Sequence, residues 1–288
     1  METTTKLYSL ENSNKRIIQC INSANPFFIS RINDNSSKVS LSYLNNTPLN
    51  PREVNIMQTN DGIYCNKQED VELYAKLYNK GIKSSTYISC FDTLYARQQN
   101  MYLQYKGMDK GLDYRILEPF YLLEEGIVPW SHSLLGKKIL IIHPFVETFQ
   151  EQMKKGWSFF KDRSIFQPGQ EIIYYKAYNT LVNNHIHKNW FDTFSRMCKD
   201  IKELDFDIAL LGCGGYGIPL CSFINGTLNK SCIYVGGGLQ LLFGVTGSRW
   251  LNHPIIKRES EREGSLWTQP NANEHLKNYK YIEGGCYW

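Results

Sequence analysis

Apolar positions follow two rhythms along this chain, and the change of rhythm falls near Pro129. Beyond it, short unbroken apolar runs alternate with stretches of helical spacing. Lys138-Ile-Leu-Ile-Ile-His143, set between Gly136-Lys-Lys and Pro144, predicts a buried parallel strand. Val146 to Phe160 predicts a helix. Glu171-Ile-Ile-Tyr-Tyr-Lys-Ala177 predicts a second strand, and Trp190 to Leu204 a helix with Phe191, Phe194, Met197, Ile201 and Leu204 on one face. Asp207-Ile-Ala-Leu-Leu211 and Ser231-Cys-Ile-Tyr-Val235 complete four strands. Strands alternating with helices of about ten to fifteen residues imply βαβ units and a mostly parallel sheet.

Before Pro129 the pattern is weaker. Residues 1–60 are polar and turn-rich around one strand candidate, Pro26-Phe-Phe-Ile-Ser30. Residues 67–80 space Val71, Tyr74, Leu77 and Tyr78 at helical intervals, and Ser85 to Phe91 is β-rich. Leu112 to Leu123 reads as helical or irregular around Pro119. The fold class expected is α/β, a mostly parallel sheet flanked by helices with a smaller N-terminal α/β lobe. Residues 1–110 would form that lobe and 111–288 the ligand-binding part with an irregular aromatic tail, unless the two are one continuous domain.

Composition narrows the function. A net charge of +4 with scattered basic residues gives no nucleic-acid groove. No apolar run is long enough for a membrane span. Met1-Glu-Thr-Thr-Thr-Lys6 has no secretory pattern, so a cytoplasmic protein is expected, in the host cytoplasm if the chain is viral. The eight cysteines form no CxxC pair, which disfavours zinc and suits reduced, packed thiols.

Chemistry concentrates where acids vanish. The 51 residues between Asp207 and Glu259 hold no Asp or Glu, yet carry two glycine clusters. Gly212-Cys-Gly214-Gly215-Tyr216-Gly217 fits GxGxxG after a strand and before a helix expected from Ile218. Gly236-Gly237-Gly238 ends the next strand. Glycines between a strand and a helix start expose backbone N–H groups to an anion such as phosphate. A dinucleotide fold wants an acid at the end of that next strand for the ribose, and none is there. NAD is therefore disfavoured, with NADP left open, and S-adenosylmethionine is disfavoured for a similar reason. The alternative is that these glycines only permit tight turns. Arg249 suits a phosphate and Trp250 a base or sugar, or else Arg249 simply covers a core Trp. His143 ends a strand, where such sheets hold ligands, and Glu147 follows one helical turn later. Together they could act as general base and orienter, or His143 could be structural.

The strings Pro129-Trp-Ser-His through Ile-His-Pro-Phe145, Asp205 to Leu220, and Tyr234-Val-Gly-Gly-Gly to Arg249-Trp250 resemble a group of bacterial and large-virus proteins that accompany surface-polysaccharide genes. That group is distantly similar to glycosyltransferases of the GT-D fold, which is Rossmann-like. The resemblance implies a nucleotide-sugar donor (UDP-, GDP- or dTDP-linked), a glycan acceptor and a divalent metal, Mn or Mg. Its Arg-x-Gly-Asp-Gly-Glu signature has a counterpart in Arg31-Ile-Asn33-Asp34-Asn35-Ser36, where only Arg31 and Asp34 remain. Asp34 is thus the implied metal ligand, and the lost glutamate counts against metal dependence. Asn60-Asp61-Gly62-Ile63-Tyr64 resembles a recurring turn of the group. The transferase reading lays the diphosphate on Gly214, Gly215 and Gly237 beside Arg249, with Glu147 or Asp34 as base. A nucleotide- or glycan-binding protein without catalysis, or a methyltransferase, is the alternative.

Overall fold

A computed structural model describes residues 4–161 and 163–288. The reading of the extreme N-terminus therefore falls in part, at Met1, Glu2 and Thr3, outside the described residues. Helix α1 (Leu10–Asn22) starts where Ser9 Oγ accepts from Asn12 N–H and turns Leu10, Ile17 and Ile21 inward. Strand β1 (Phe28–Arg31) follows, then α2 (Asp34–Leu44), α3 (Pro51–Asp61) and α4 (Gln68–Ser84). Pro51 and the Asn50 cap start α3, and Gly62 ends it in the left-handed region at φ 73°. Then come β2 (Tyr87–Cys90), α5 (Ala96–Lys106), β3 (Leu112–Asp113) and α6 (Phe120–Glu124). The second half runs β4 (Ile139–His143), α7 (Val146–Lys155), β5 (Ile172–Lys176), α8 (Trp190–Lys202), β6 (Ile208–Leu211), α9 (Gly217–Gly226), β7 (Ser231–Tyr234) and α10 (Pro254–Glu261).

All seven strands form one parallel sheet in the order β3-β2-β1-β7-β6-β4-β5. The fold is α/β and Rossmann-like, as the alternation of strands and helices predicts. Residues from both halves share the sheet, because β1 pairs with β7 in the register Ile29↔Ile233. Side chains alternate across it. Ile29, Ile141, Leu210 and Ile233 enter one core with Trp130, Phe149 and Phe243; Phe28, Ile142, Leu211 and Cys232 enter the other with Tyr74, Trp190 and Tyr216. Among the described residues no helix is long and apolar enough to cross a membrane.

The topology sets the site. After β1 the chain passes to α2 on one face, and after the adjacent β7 it passes to a 3-10 turn, Gly236–Phe243, on the other. Connections that leave neighbouring strands toward opposite faces open a crevice at the carboxyl ends of those strands.

Candidate functional site

That crevice is lined from five strand ends. β1 leads in Arg31, Asn33, Asp34 and Asn35; β4 ends in His143; the segment after β5 supplies Tyr178 to Leu181; β6 supplies Gly212 to Gly214; β7 supplies Tyr234 and Gly237. Asn60 and Asp61 close it from α3. Arg249, Glu283 and Tyr287 close it from the chain's last part. Of the residues singled out in the sequence, the crevice thus gathers Arg31, Asp34, His143, Gly212, Gly214, Tyr216, Gly237 and Arg249. Gly215, Gly217, Gly236, Gly238, Trp250 and Glu147 are not among its lining residues.

The glycines outside the crevice are occupied by packing. A Cβ on Gly217 would stand 2.1 Å from the Tyr234 ring, and one on Gly215 2.3 Å from Ile63. At Gly238 the space belongs to Glu118, and at Gly236, whose φ is 77°, to Arg31. Gly214, at φ 55°, faces the Asp61 carbonyl. Trp250 is buried in the core, with the Arg249 guanidinium carbon 5.7 Å from its ring centre.

The crevice carries two cations. Arg31 donates to the Val235 carbonyl at 3.4 Å and forms no ion pair among the described residues. Arg249 meets Glu283 at 2.5 Å and lies 4.8 Å from the Tyr287 ring centre.

Its acids differ in how far they are committed. Asp34 holds Lys38 Nζ at 2.7 Å and accepts from Gln98 at 3.2 Å. Asp61 has no basic partner among the described residues; it accepts from Asn33 Nδ2 at 2.9 Å, Asn35 Nδ2 at 3.3 Å, Ser36 N–H at 3.0 Å and the Ser36 hydroxyl. Burial lifts its pKa to about 6, while the donors from Ser36, Asn35 and Asn33 pull it back. The Asn60–Tyr64 string was the only signal for Asp61, since no spacing links it to Ser36 25 residues away.

His143 is neutral. Burial pushes its pKa down to about 3, and Nδ1 accepts from Phe145 N–H at 3.0 Å, so the ring proton sits on Nε2. The imidazole therefore offers a hydrogen-bond donor. Glu147 pairs instead with Lys176 Nζ at 2.5 Å and Asn273 Nδ2 at 2.6 Å, and makes no hydrogen bond to His143 among the described residues. Lys176 first, then Asn273, hold its carboxyl below the usual range. The general-base and orienter pair expected of these two residues is thus not assembled.

A metal fits poorly here. Lys38 occupies Asp34, and among the described residues no three His, Cys, Asp or Glu side chains converge to hold an ion.

Comparison with known proteins gives a fold and no activity. No protein-family profile matches the chain, and no curated protein matches it. One solved structure, a selenomethionine-substituted domain of unknown function 1792, aligns over 97% of this chain and 90% of its own, with a TM-score of 0.50 at 12% identity. The chain is similar to that domain in fold across nearly its whole length.

Proposed function

We propose that this chain is a glycosyltransferase, taking a UDP-, GDP- or dTDP-linked sugar and passing it to a glycan hydroxyl in surface-glycan or polysaccharide synthesis. The observation that carries this reading is the meeting of Arg31 and Arg249 in one crevice at the topological switch point. A diphosphate gains negative charge as it leaves a sugar, and fixed guanidinium groups in a cleft stabilise that charge well. Gly214 and Gly237 border the same space, where the Asp61 carbonyl and the Tyr287 ring take the place of their missing side chains. The sugar itself comes from the sequence resemblance. A ligand-binding protein without turnover is the second reading, and one observation favours it: Lys38 and Gln98 already engage Asp34.

The test is a thermal-shift screen against UDP, GDP, CMP, dTDP, NAD, NADP and S-adenosylmethionine, each with and without Mn²⁺ or Mg²⁺. A ligand at a hundredfold its Kd stabilises the fold by about 2.7 kcal/mol. A shift with one nucleoside diphosphate is expected, and Arg249→Ala should weaken that affinity several-fold without unfolding the protein. Stabilisation by S-adenosylmethionine or a dinucleotide alone would replace the transferase with another Rossmann-type enzyme.

A further inference from the structure

We infer that Asp61 is the proton acceptor of this crevice, taking the proton of the acceptor hydroxyl as its oxygen attacks the sugar carbon. The inference rests on the glycosyl-transfer reading and adds to it a residue and a stereochemical course.

Asp34 is paired with Lys38, and Glu283 with Arg249. Asp61 alone of the three lines the crevice without an ion-pair partner among the described residues. Its two oxygens are also unequal. Oδ2 takes the Asn33 amide, the Ser36 N–H and the Ser36 hydroxyl, whereas Oδ1 takes only Asn35, at 3.3 Å. A carboxylate oxygen accepts along two lone-pair directions, so Oδ1 keeps one for a ligand hydroxyl. Asp61 is half-buried as a residue and lines the crevice, so its carboxylate borders the space a ligand would fill.

Placement is rigid as well. Asp61 is the last residue of α3, its carbonyl lies against Gly214 and Gly215, and Thr180 Oγ1 donates to the carbonyl of Gly62 at 2.7 Å. Asn33 is held in turn by the Tyr78 hydroxyl at 3.0 Å. Tyr74 and Tyr78 on α4 and Tyr234 on β7 interact electrostatically with Asp61, and Arg31, Asp34, His143, Arg249 and Glu283 are among the charged and titratable groups that line the same crevice. With its pKa lifted to about 6, Asp61 is mostly ionised at neutral pH and a better base than an ordinary carboxylate.

The step balances. The acceptor O–H bond breaks and its proton moves to Asp61 Oδ1. The acceptor oxygen bonds to the anomeric carbon as the bond from that carbon to the phosphate oxygen breaks. The electron pair leaves with the nucleoside diphosphate, beside Arg31 and Arg249. Asp61 then returns its proton to solvent. A direct displacement of this kind inverts the anomeric configuration.

The experiment measures nucleotide affinity by calorimetry, and turnover of the nucleotide sugar with water or a glycan acceptor across pH 4.5–8.5 (an assay range of about four units, chosen to bracket the carboxylate pKa). Three proteins are compared: wild type, Asp61→Asn and Ser36→Ala, each with its melting curve. Asp61→Asn should keep nucleotide affinity within a few-fold, lose at least about a hundredfold in kcat, and lose the acid limb of the profile. Ser36→Ala keeps the carboxylate but removes a donor to its charged form, so its acid limb should move to higher pH. A structural role would not move that limb. Turnover by Asp61→Asn within a few-fold of wild type, an unshifted limb in Ser36→Ala, or a product of retained configuration would overturn the inference and leave the transferase standing. A wild-type protein that neither binds nor turns over any donor would remove the transferase reading, and the inference with it.

Discussion

His143 shows how one residue joins stability to the site. Its imidazole is buried and neutral at a strand end, with a pKa near 3 against 6.5 when exposed. Between those values the unfolded chain binds the proton and the native state does not. The stability is therefore fully present above pH 6.5 and lost as pH falls toward 3. His143→Asn can still accept from Phe145 N–H, yet does not titrate. Between pH 7 and pH 4 the variant should lose about 3 kcal/mol less stability than wild type, read from urea unfolding at each pH. Asp61 works in the opposite sense. Its folded pKa of about 6 lies above the ordinary 3.8, so its contribution is fully present below 3.8 and lost as pH rises through 6. The two slopes offset one another between about pH 4 and pH 6, so Asp61→Asn should steepen the acid loss of stability where His143→Asn flattens it. Equal slopes in all three proteins would mean that neither group is as buried as described.

Between elements, the glycine clusters serve packing as much as ligand. Gly217 opens α9, and the Tyr234 ring of β7 fills the place of a side chain there, while the Tyr234 hydroxyl donates to the Gly214 carbonyl at 3.0 Å. Gly217→Ala should destabilise the fold by about 1–3 kcal/mol through overpacking. Gly226→Ala, which meets nothing within 4 Å, should change stability little, and a denaturation series on the pair checks the contrast. The same elements show what the sequence makes legible. Strands β4 to β7 and helix α8 were readable because unbroken apolar runs and a 3.6-residue stripe point to a two-sided core. Helices α1, α2 and α3 fell in a stretch that reads as turn-rich. Helix α2 buries Ser36, Ser37 and Ser40 beside Val39 and Leu41, and α3 fully buries only Met57, so hydrophobic periodicity carries little signal in either. The expected helix from Val146 to Phe160 stops at Lys155 because Gly156 turns out of it, sending Phe159 and Phe160 back into the core. At the site the strand ends were legible, since glycines and His143 follow apolar runs. Asp61 was legible only through the Asn60–Tyr64 string and the Tyr178–Leu181 segment not at all, because only the folded chain brings them to β1 and β6.

At the scale of the whole molecule, the crevice is walled by segments far apart in the chain that hold each other in place. The last part of the chain returns across the sheet: Ser248 N–H donates to the Trp288 carbonyl at 2.9 Å, Arg249 N–H to the Cys286 carbonyl at 3.2 Å, and Gln240 Nε2 to the Tyr287 carbonyl at 3.0 Å. Trp288 is buried against Phe145 and Tyr279, with ring centres 5.5 and 5.3 Å apart. Opposite, the segment after β5 is tied to the end of α3 through Thr180, and Val182 holds a left-handed φ of 48°, a strained state for a β-branched residue. A ligand seated between these walls adds contacts to both at once, so it lowers the free energy of the closed arrangement relative to any local opening. Hydrogen exchange on the protein with a saturating nucleoside diphosphate should therefore slow the amides of residues 178–184 and 283–288 together, by the same factor to within a few-fold. The amides of the 3-10 turn Trp130–Leu134, remote from the crevice, should keep their rates. Trp288→Ala removes a large buried side chain and should cost about 3–5 kcal/mol, whereas Tyr281→Ala, at 79% exposure, should cost almost nothing. If nucleotide binds while both walls exchange as before, the ligand sits elsewhere and the switch-point crevice is not its site.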